Sequence, residues 1–248
     1  MSTTVRESRL QRRGNNGWAF PDLVVEVAGP LACFTRPELK VERVSYPVMT
    51  PSAAVGVLES IFWKPEFRYV ITAIEVLKDI QWVSIRRNEV KSVITPAEVA
   101  ALRRDPRRRY DVEADDRDQR STVALRDVAY RIRAQIVVKP HANAPEVKYR
   151  DQLRRRVERG ACFSQPFLGC REFSADFRPP SPELTPIPHS EELGVMLHSI
   201  ERPAGGGERY RWFRARLENG VMTVPRHPLG DDEVAMPGAP WRADARKR

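Results

Sequence analysis

Residues 148–160, KYRDQLRRRVERG, set six basic side chains (Lys148, Arg150, Arg154, Arg155, Arg156 and Arg159) against two acids, Asp151 and Glu158. A guanidinium grips phosphate through paired N–H bonds and stacks on exposed bases. The segment therefore suits a polyanion, and it equally fits a solvated helix face relieved by its two acids. Lys148 and Tyr149 at its head raise a question of chemistry. RNA carries its own nucleophile, the 2′-OH beside each phosphate. A protein can cut it without metal by aligning that hydroxyl, helping its proton leave and neutralising the phosphorane. A lysine supplies charge. A tyrosine can position or exchange a proton, although a phenol with a pKa near 10 is a poor base at neutral pH. Spacing alone also allows the plainer reading: Tyr149 in a core stripe and Lys148 as one more phosphate contact.

Three further basic clusters occur: Arg36, Lys40 and Arg43; Arg86 and Arg87; and Arg103 to Arg109. Phe34, Tyr46, Trp82 and Tyr110 lie near some of them, and base stacking needs such faces. Singly, each aromatic also reads as core. A net charge of +9 over 248 residues favours nucleic acid or an anionic membrane surface over an acidic small molecule. No run approaches eighteen apolar residues, so no membrane span is expected. Three cysteines, an odd number, fit a reducing cytoplasm better than a disulfide framework. The seven-residue gap from Cys162 to Cys170 is not a zinc-knuckle spacing, and the four histidines are scattered. Neither metal nor cofactor is expected. The acids of DVEADD, 111–116, are the raw material for a metal-dependent nuclease acting on DNA. Set among opposite charges, they read instead as solvated.

The elements that must position these residues follow from periodicity. LVVEVA, 23–28, reads as a strand, followed by a largely looped stretch. Thr50-Pro51 opens a helix carrying Ala54, Val55, Leu58, Ile61 and Phe62, which Pro65 ends. Residues 67–78 and 80–90 read as strands, 92–122 as a flexible charged surface loop, and 128–139 as a strand with one buried end. Tyr149, Leu153 and Val157 give the arginine-rich helix a single apolar stripe, and Gly160 is its natural stop. Residues 167–177 read as a strand or hairpin arm, and the proline-rich 178–188 as a linker or extended crossing. A β-rich end follows, with Asn219-Gly220 as a hairpin turn. The order suggests an α+β protein whose first part is a split, ferredoxin-like unit, the layout that also underlies RNA-recognition sheets. The expected organisation is a mobile basic tail over 1–20 without a signal peptide's apolar run, a main domain over 21–178, and a linker with a small sheet and basic tail over 179–248.

Three long runs carry a resemblance: ERVSYPVMTPSAAVGVLESIFWKP, IQWVSIRRNEV and KYRDQLRRRVERGACFSQPFLGCREF. Across most of 22–178, and more loosely through ENGVMTVPR, the chain resembles the CRISPR-associated Cas-five family of subtype I-C. The resemblance implies a ferredoxin-type, RNA-recognition-like N-terminal domain and a small antiparallel β-sheet C-terminal domain. It implies metal-independent cutting of precursor CRISPR RNA at the 3′ base of the repeat hairpin. The 5′ tag is then retained in Cascade, beside its backbone and large subunits. Some family members also cut DNA, which makes DNA a second candidate substrate. The family's catalytic set joins the tyrosine of a Tyr-Trp-Lys-Pro segment to an adjacent Lys-His pair. Here these become Phe62-Trp63-Lys64-Pro65 and Lys148-Tyr149, so Lys148 carries over, Phe62 lacks the hydroxyl, and Tyr149 stands in place of the imidazole. Tyr149, Tyr46 or His141 could take over the proton role. The expected catalytic residues are thus Lys148, Tyr149 and Tyr46. The expected RNA contacts are Arg36, Lys40, Arg43, Arg86, Arg87, Arg154, Arg155, Arg156 and Arg171. The competing readings are a non-catalytic RNA-binding Cascade subunit capping the tag and a metal-dependent DNA nuclease.

Overall fold

The structure, a computed structural model, describes residues 17–39, 41–110, 116–203 and 205–230. The basic segment 1–16, Lys40, most of the acidic block at 111–115 and the C-terminal 231–248 lie outside the described residues.

The fold is mixed α/β with a mostly antiparallel sheet. Its backbone is β5 (Arg117–Val138), against which four strands align. β1 (Leu23–Ala32) runs antiparallel along one side of it, pairing Leu23 with Ala134 through Ala32 with Leu125. On the other side β4 (Gln81–Val90) pairs with its first half and β3 (Phe67–Val76) with its second. At the changeover Asp127 takes φ +50°, a conformation that Asp tolerates better than most residues. The short β2 (Arg43–Val44) pairs in parallel with Thr122 and Val123. β6 (Asp176–Arg178) adds to the far edge of β1, giving the path β6-β1-β5-β3-β9.

Two helices pack on this sheet. α1 (Pro51–Ile61) starts as the sequence dictates: the Thr50 hydroxyl accepts the Ala53 amide at 3.2 Å, and proline fills the first turn. It ends at Ile61, before Pro65, and buries Ala54, Val57, Leu58 and Ile61. α2 (Pro96–Arg104), capped by Thr95, buries none of its residues. α3 (Glu146–Glu158) buries the expected stripe of Tyr149, Leu153 and Val157.

The stretch 92–122 differs from its reading as a loop: it contains α2 and the start of β5. The strand was hidden because its exposed and half-buried positions alternate among charged residues, so no apolar period of two shows. At the other end, β7 (Glu191–Glu201) and β8 (Arg209–Leu217) form a two-stranded sheet. Asn219 and Gly220, at φ +47° and +75°, make the expected turn. The returning β9 (Val221–Thr223) then pairs with Ala73–Glu75 of β3.

A charged row ties the strands together on one face. Arg131 of β5 stands opposite Glu26 of β1 and Glu75 of β3. It bonds both, at 2.6 Å and 2.8 Å, and also donates to the Ser181 and Leu184 carbonyls. Glu26, 2% exposed, further accepts from the Ser181 amide and from Arg178. The proline-rich 178–188 segment is thereby fastened across the sheet.

Candidate nucleic-acid interface

The stripe on α3 divides its basic residues by role. Tyr149 sits in the core, 2% exposed, its ring 5.0 Å from that of Phe67. Lys148, the next residue, is exposed and has no carboxylate partner among the described residues. Arg150 turns inward: 1% exposed, it bonds Gln135 at 3.0 Å, Glu146 at 2.9 Å and the Pro21 carbonyl, and lies 5.2 Å over the Phe20 ring. Burial pulls its pKa below the usual guanidinium value. Arg156 is half-buried and donates to the Ile61 carbonyl at 2.7 Å, with its guanidinium 5.3 Å from the Phe62 ring.

This last contact joins the two segments that the resemblance pairs. The final turn of α1 leaves carbonyls without helical partners. Arg156 takes that of Ile61, and the Tyr69 hydroxyl takes that of Phe62 at 2.7 Å. Phe62, Phe67 and Tyr149 stack beneath, with ring centroids 5.5 Å and 5.0 Å apart. The chain is thus fixed where it emerges as Trp63, 51% exposed, and Lys64. Glu66 follows. Its carboxylate accepts the Asn143 amide at 3.3 Å and lies 3.9 Å from Lys64. The Asn143 amide holds its pKa below the ordinary carboxylate value. The buried Tyr149 hydroxyl makes no hydrogen bond of normal geometry. Burial first, and then the nearby Glu66 carboxylate, hold its pKa above the ordinary phenol value. His141 is exposed on the same β5–α3 loop. Lys148, Trp63, Lys64, Glu66 and His141 therefore belong to two adjoining turns, with Tyr149 beneath them.

The other expected residues divide in the same way. Tyr46 is 1% exposed beneath Arg36, and burial pushes its phenol well above the ordinary value, so neither its position nor its acidity suits a surface base. Arg36 lies 3.9 Å from Glu38. Arg43 and Arg87 share Glu89 and Glu172, and Arg43 also reaches the Cys170 thiol at 3.5 Å. Their charge is spent inside the protein. Arg154 pairs with Asp151 at 3.1 Å. Arg86, Arg155 and Arg171 are exposed and have no carboxylate partner among the described residues.

Sequence reasoning missed a cleft of about 650 Å³ between the first turn of α1, β3, the Phe167–Gly169 turn and β7. Arg68, His198, Arg202 and Arg226 line it. These four come from three distant stretches of chain, so no local motif announces them. Gly169 closes one wall at φ +85°; a Cβ there would lie 2.1 Å from the Cys33 carbonyl oxygen.

A family described as CRISPR-associated protein (Cas_Cas5) matches residues 22–242. The CRISPR pre-crRNA endoribonuclease Cas5d of Mannheimia succiniciproducens is 44% identical over 221 residues, 85% of this chain and 96% of that protein. The protein of the same name from Thermus thermophilus is 42% identical over 221 residues, 82% of this chain and 91% of its own. A solved structure, "Crystal Structure of CRISPR-associated Protein", shares the fold with a TM-score of 0.59 at 22% identity, over 82% of this chain and 91% of its own. By its sequence, the chain belongs to the CRISPR-associated Cas5d family.

Proposed function

We propose that this protein is a metal-independent endoribonuclease that cuts precursor CRISPR RNA within its repeat and retains the 5′ tag as a subunit of Cascade. The observation that carries this reading is the placement of Lys148. Lys148 is exposed in the first turn of α3, without a carboxylate partner among the described residues, and the loop before that turn is tied to Glu66 through the Asn143 amide. Two relatives at 42–44% identity, matched over nearly their whole length, bear the corresponding endoribonuclease name. The strand path β6-β1-β5-β3, with α1 following β1 and α3 following β5, supports a ferredoxin-like, RNA-recognition type of sheet. The β7–β8 sheet beyond the proline-rich crossing is then the smaller C-terminal unit.

In the reaction, the 2′-oxygen attacks the adjacent phosphorus and loses its proton. The 5′-oxygen leaves and gains one. The products are a 2′,3′-cyclic phosphate and a 5′-hydroxyl. Lys148 neutralises the charge that builds on the phosphorane, where a fixed cation contributes most. His141 and Glu66 are the titratable groups on the neighbouring turns within which the proton can move. Tyr149 is a positioning residue: its ring seats the first turn of α3 and sets where Lys148 emerges. Arg86, Arg155 and Arg171 hold phosphates, and the cationic cleft beside β7 accommodates the retained tag. DNA is a second candidate substrate. No described helix is long and apolar enough to cross a membrane.

The test is cleavage of repeat RNA in excess EDTA, with and without a single deoxyribose upstream of the cut. The all-ribose substrate should be cut and the deoxy substrate left intact at that bond. Cutting of the deoxy substrate there would overturn the mechanism. A non-catalytic RNA-binding subunit is the second reading, favoured by Phe62, which has no hydroxyl, and by the burial of the Tyr149 hydroxyl. Under that reading the wild-type protein binds the repeat and never cuts it.

A further inference from the structure

We propose that the concavity at the C-terminal end of α3 is a nucleotide subsite for single-stranded RNA, in which Phe163 stacks on a base and Arg155 and Arg159 hold the flanking phosphates. The inference rests on the RNA-processing reading and deepens it: it gives the Arg155 contact a defined subsite and adds Arg159 and Phe163, which that reading does not use. The concavity, about 410 Å³, is lined by Gln152, Arg155, Arg156, Arg159, Cys162 and Phe163 together with Ala161. Three of its walls are guanidinium groups and none is an acid. Arg156 is committed to the Ile61 carbonyl. Arg155 touches only the Gln152 amide oxygen, at 2.8 Å, and among the described residues neither Arg155 nor Arg159 has a carboxylate partner. Two free cations converging on one depression call for an anion.

Phe163 supplies the second half of the argument. It is 84% exposed, an unusual state for a large apolar ring. A mobile loop does not explain it, because the backbone beneath is fixed. The Phe163 and Ser164 amides both donate to the Ser60 carbonyl of α1, at 2.9 Å and 3.1 Å. The Ala161 amide closes onto the Arg156 carbonyl at 2.9 Å, and Gly160 takes the φ of +63° that this turn requires. The ring is therefore held out on a rigid base beside unpaired guanidinium groups. An aromatic platform flanked by arginines is the chemistry that binds unpaired nucleotides with little regard for sequence. Ten residues of α3, a rise of about 16 Å from one to the other, separate Lys148 from Arg159 at its C-cap. A strand laid along α3 would reach this subsite a few nucleotides from the proposed cut.

The test uses repeat RNA with 2-aminopurine placed in turn at each unpaired position, titrated with the full chain. Phe163→Ala and Phe163→Leu should each weaken binding about tenfold and abolish the fluorescence quench at one position, whereas Phe163→Trp should preserve both. The double variant Arg155→Gln/Arg159→Gln should reduce the slope of log affinity against log salt by about 1.4. Melting temperatures should stay at the wild-type value, since the ring is exposed. Wild-type affinity and quenching in Phe163→Leu would overturn the subsite. So would a Phe163→Ala variant that binds RNA normally but no longer joins a protein partner, which would make the ring a docking contact. A wild-type protein that binds and quenches but never cuts would remove the cleavage reading and leave the subsite supported. One that cuts while both Phe163 variants bind normally would remove the subsite alone.

Discussion

Lys148 and Tyr149 are neighbours in the chain that face opposite environments, and their variants should behave oppositely. Lys148→Ala removes an exposed ammonium that has no carboxylate partner among the described residues. Its melting temperature should match the wild type, while single-turnover cutting of repeat RNA falls by about two orders of magnitude, the scale of losing one preorganised charge contact. Tyr149→Phe removes a buried hydroxyl that makes no hydrogen bond of normal geometry, and such groups cost about 1–3 kcal/mol to bury. Thermal denaturation should show it no less stable than the wild type, and cutting should persist. If cutting collapses while stability holds, Tyr149 itself exchanges the proton. The sequence made Lys148 legible as a charge and Tyr149 as part of a stripe. It could not show Arg150 folding inward onto Gln135 and Pro21, because a residue's facing within a crowded basic run depends on distant partners. Nor could it show that Arg43 and Arg87 are neutralised by Glu172, which lies 129 residues beyond Arg43.

At the level of elements, the joint between α1 and α3 decides whether the site exists. Arg156 and Arg155 adjoin in the sequence, yet only Arg156 holds the joint. Arg156→Ala should cost about 2 kcal/mol in urea denaturation, from a lost charged hydrogen bond and the contact with Phe62. Arg155→Ala should leave the urea midpoint unchanged and weaken RNA affinity in a salt-dependent way. Thr50→Ala, removing the cap at the other end of α1, should cost about 1 kcal/mol. These helices were legible because capping and a 3.6-residue stripe are local signals. The first half of β5 was not, since its partner β4 defines it and its own residues are mostly polar. Asn219-Gly220 announced a turn but not its destination: the strand that follows leaves the hairpin for β3, a choice made by tertiary packing.

Across the whole molecule, Glu26, held by Arg131 at the sheet's centre, couples folding to pH. Burial pushes the Glu26 carboxyl up, but hydrogen bonds from Arg131, the Ser181 amide and Arg178 outweigh it and leave the group below its ordinary value of 4.5. A carboxylate more acidic in the folded state contributes stability above that ordinary value and loses it as the pH falls through the lower, folded one. Glu26→Gln should therefore cost about 3 kcal/mol at neutral pH. Its melting temperature should also fall less steeply than that of the wild type on acidification to about pH 3. The three residues of β9 have a consequence of their own. They occupy part of the outer rim of β3, whose amides and carbonyls would otherwise stand ready to zip onto another chain. Cleaving the polypeptide between Gly220 and Val221 and removing the piece beyond should leave that rim open to a second copy, visible as increased self-association in light scattering.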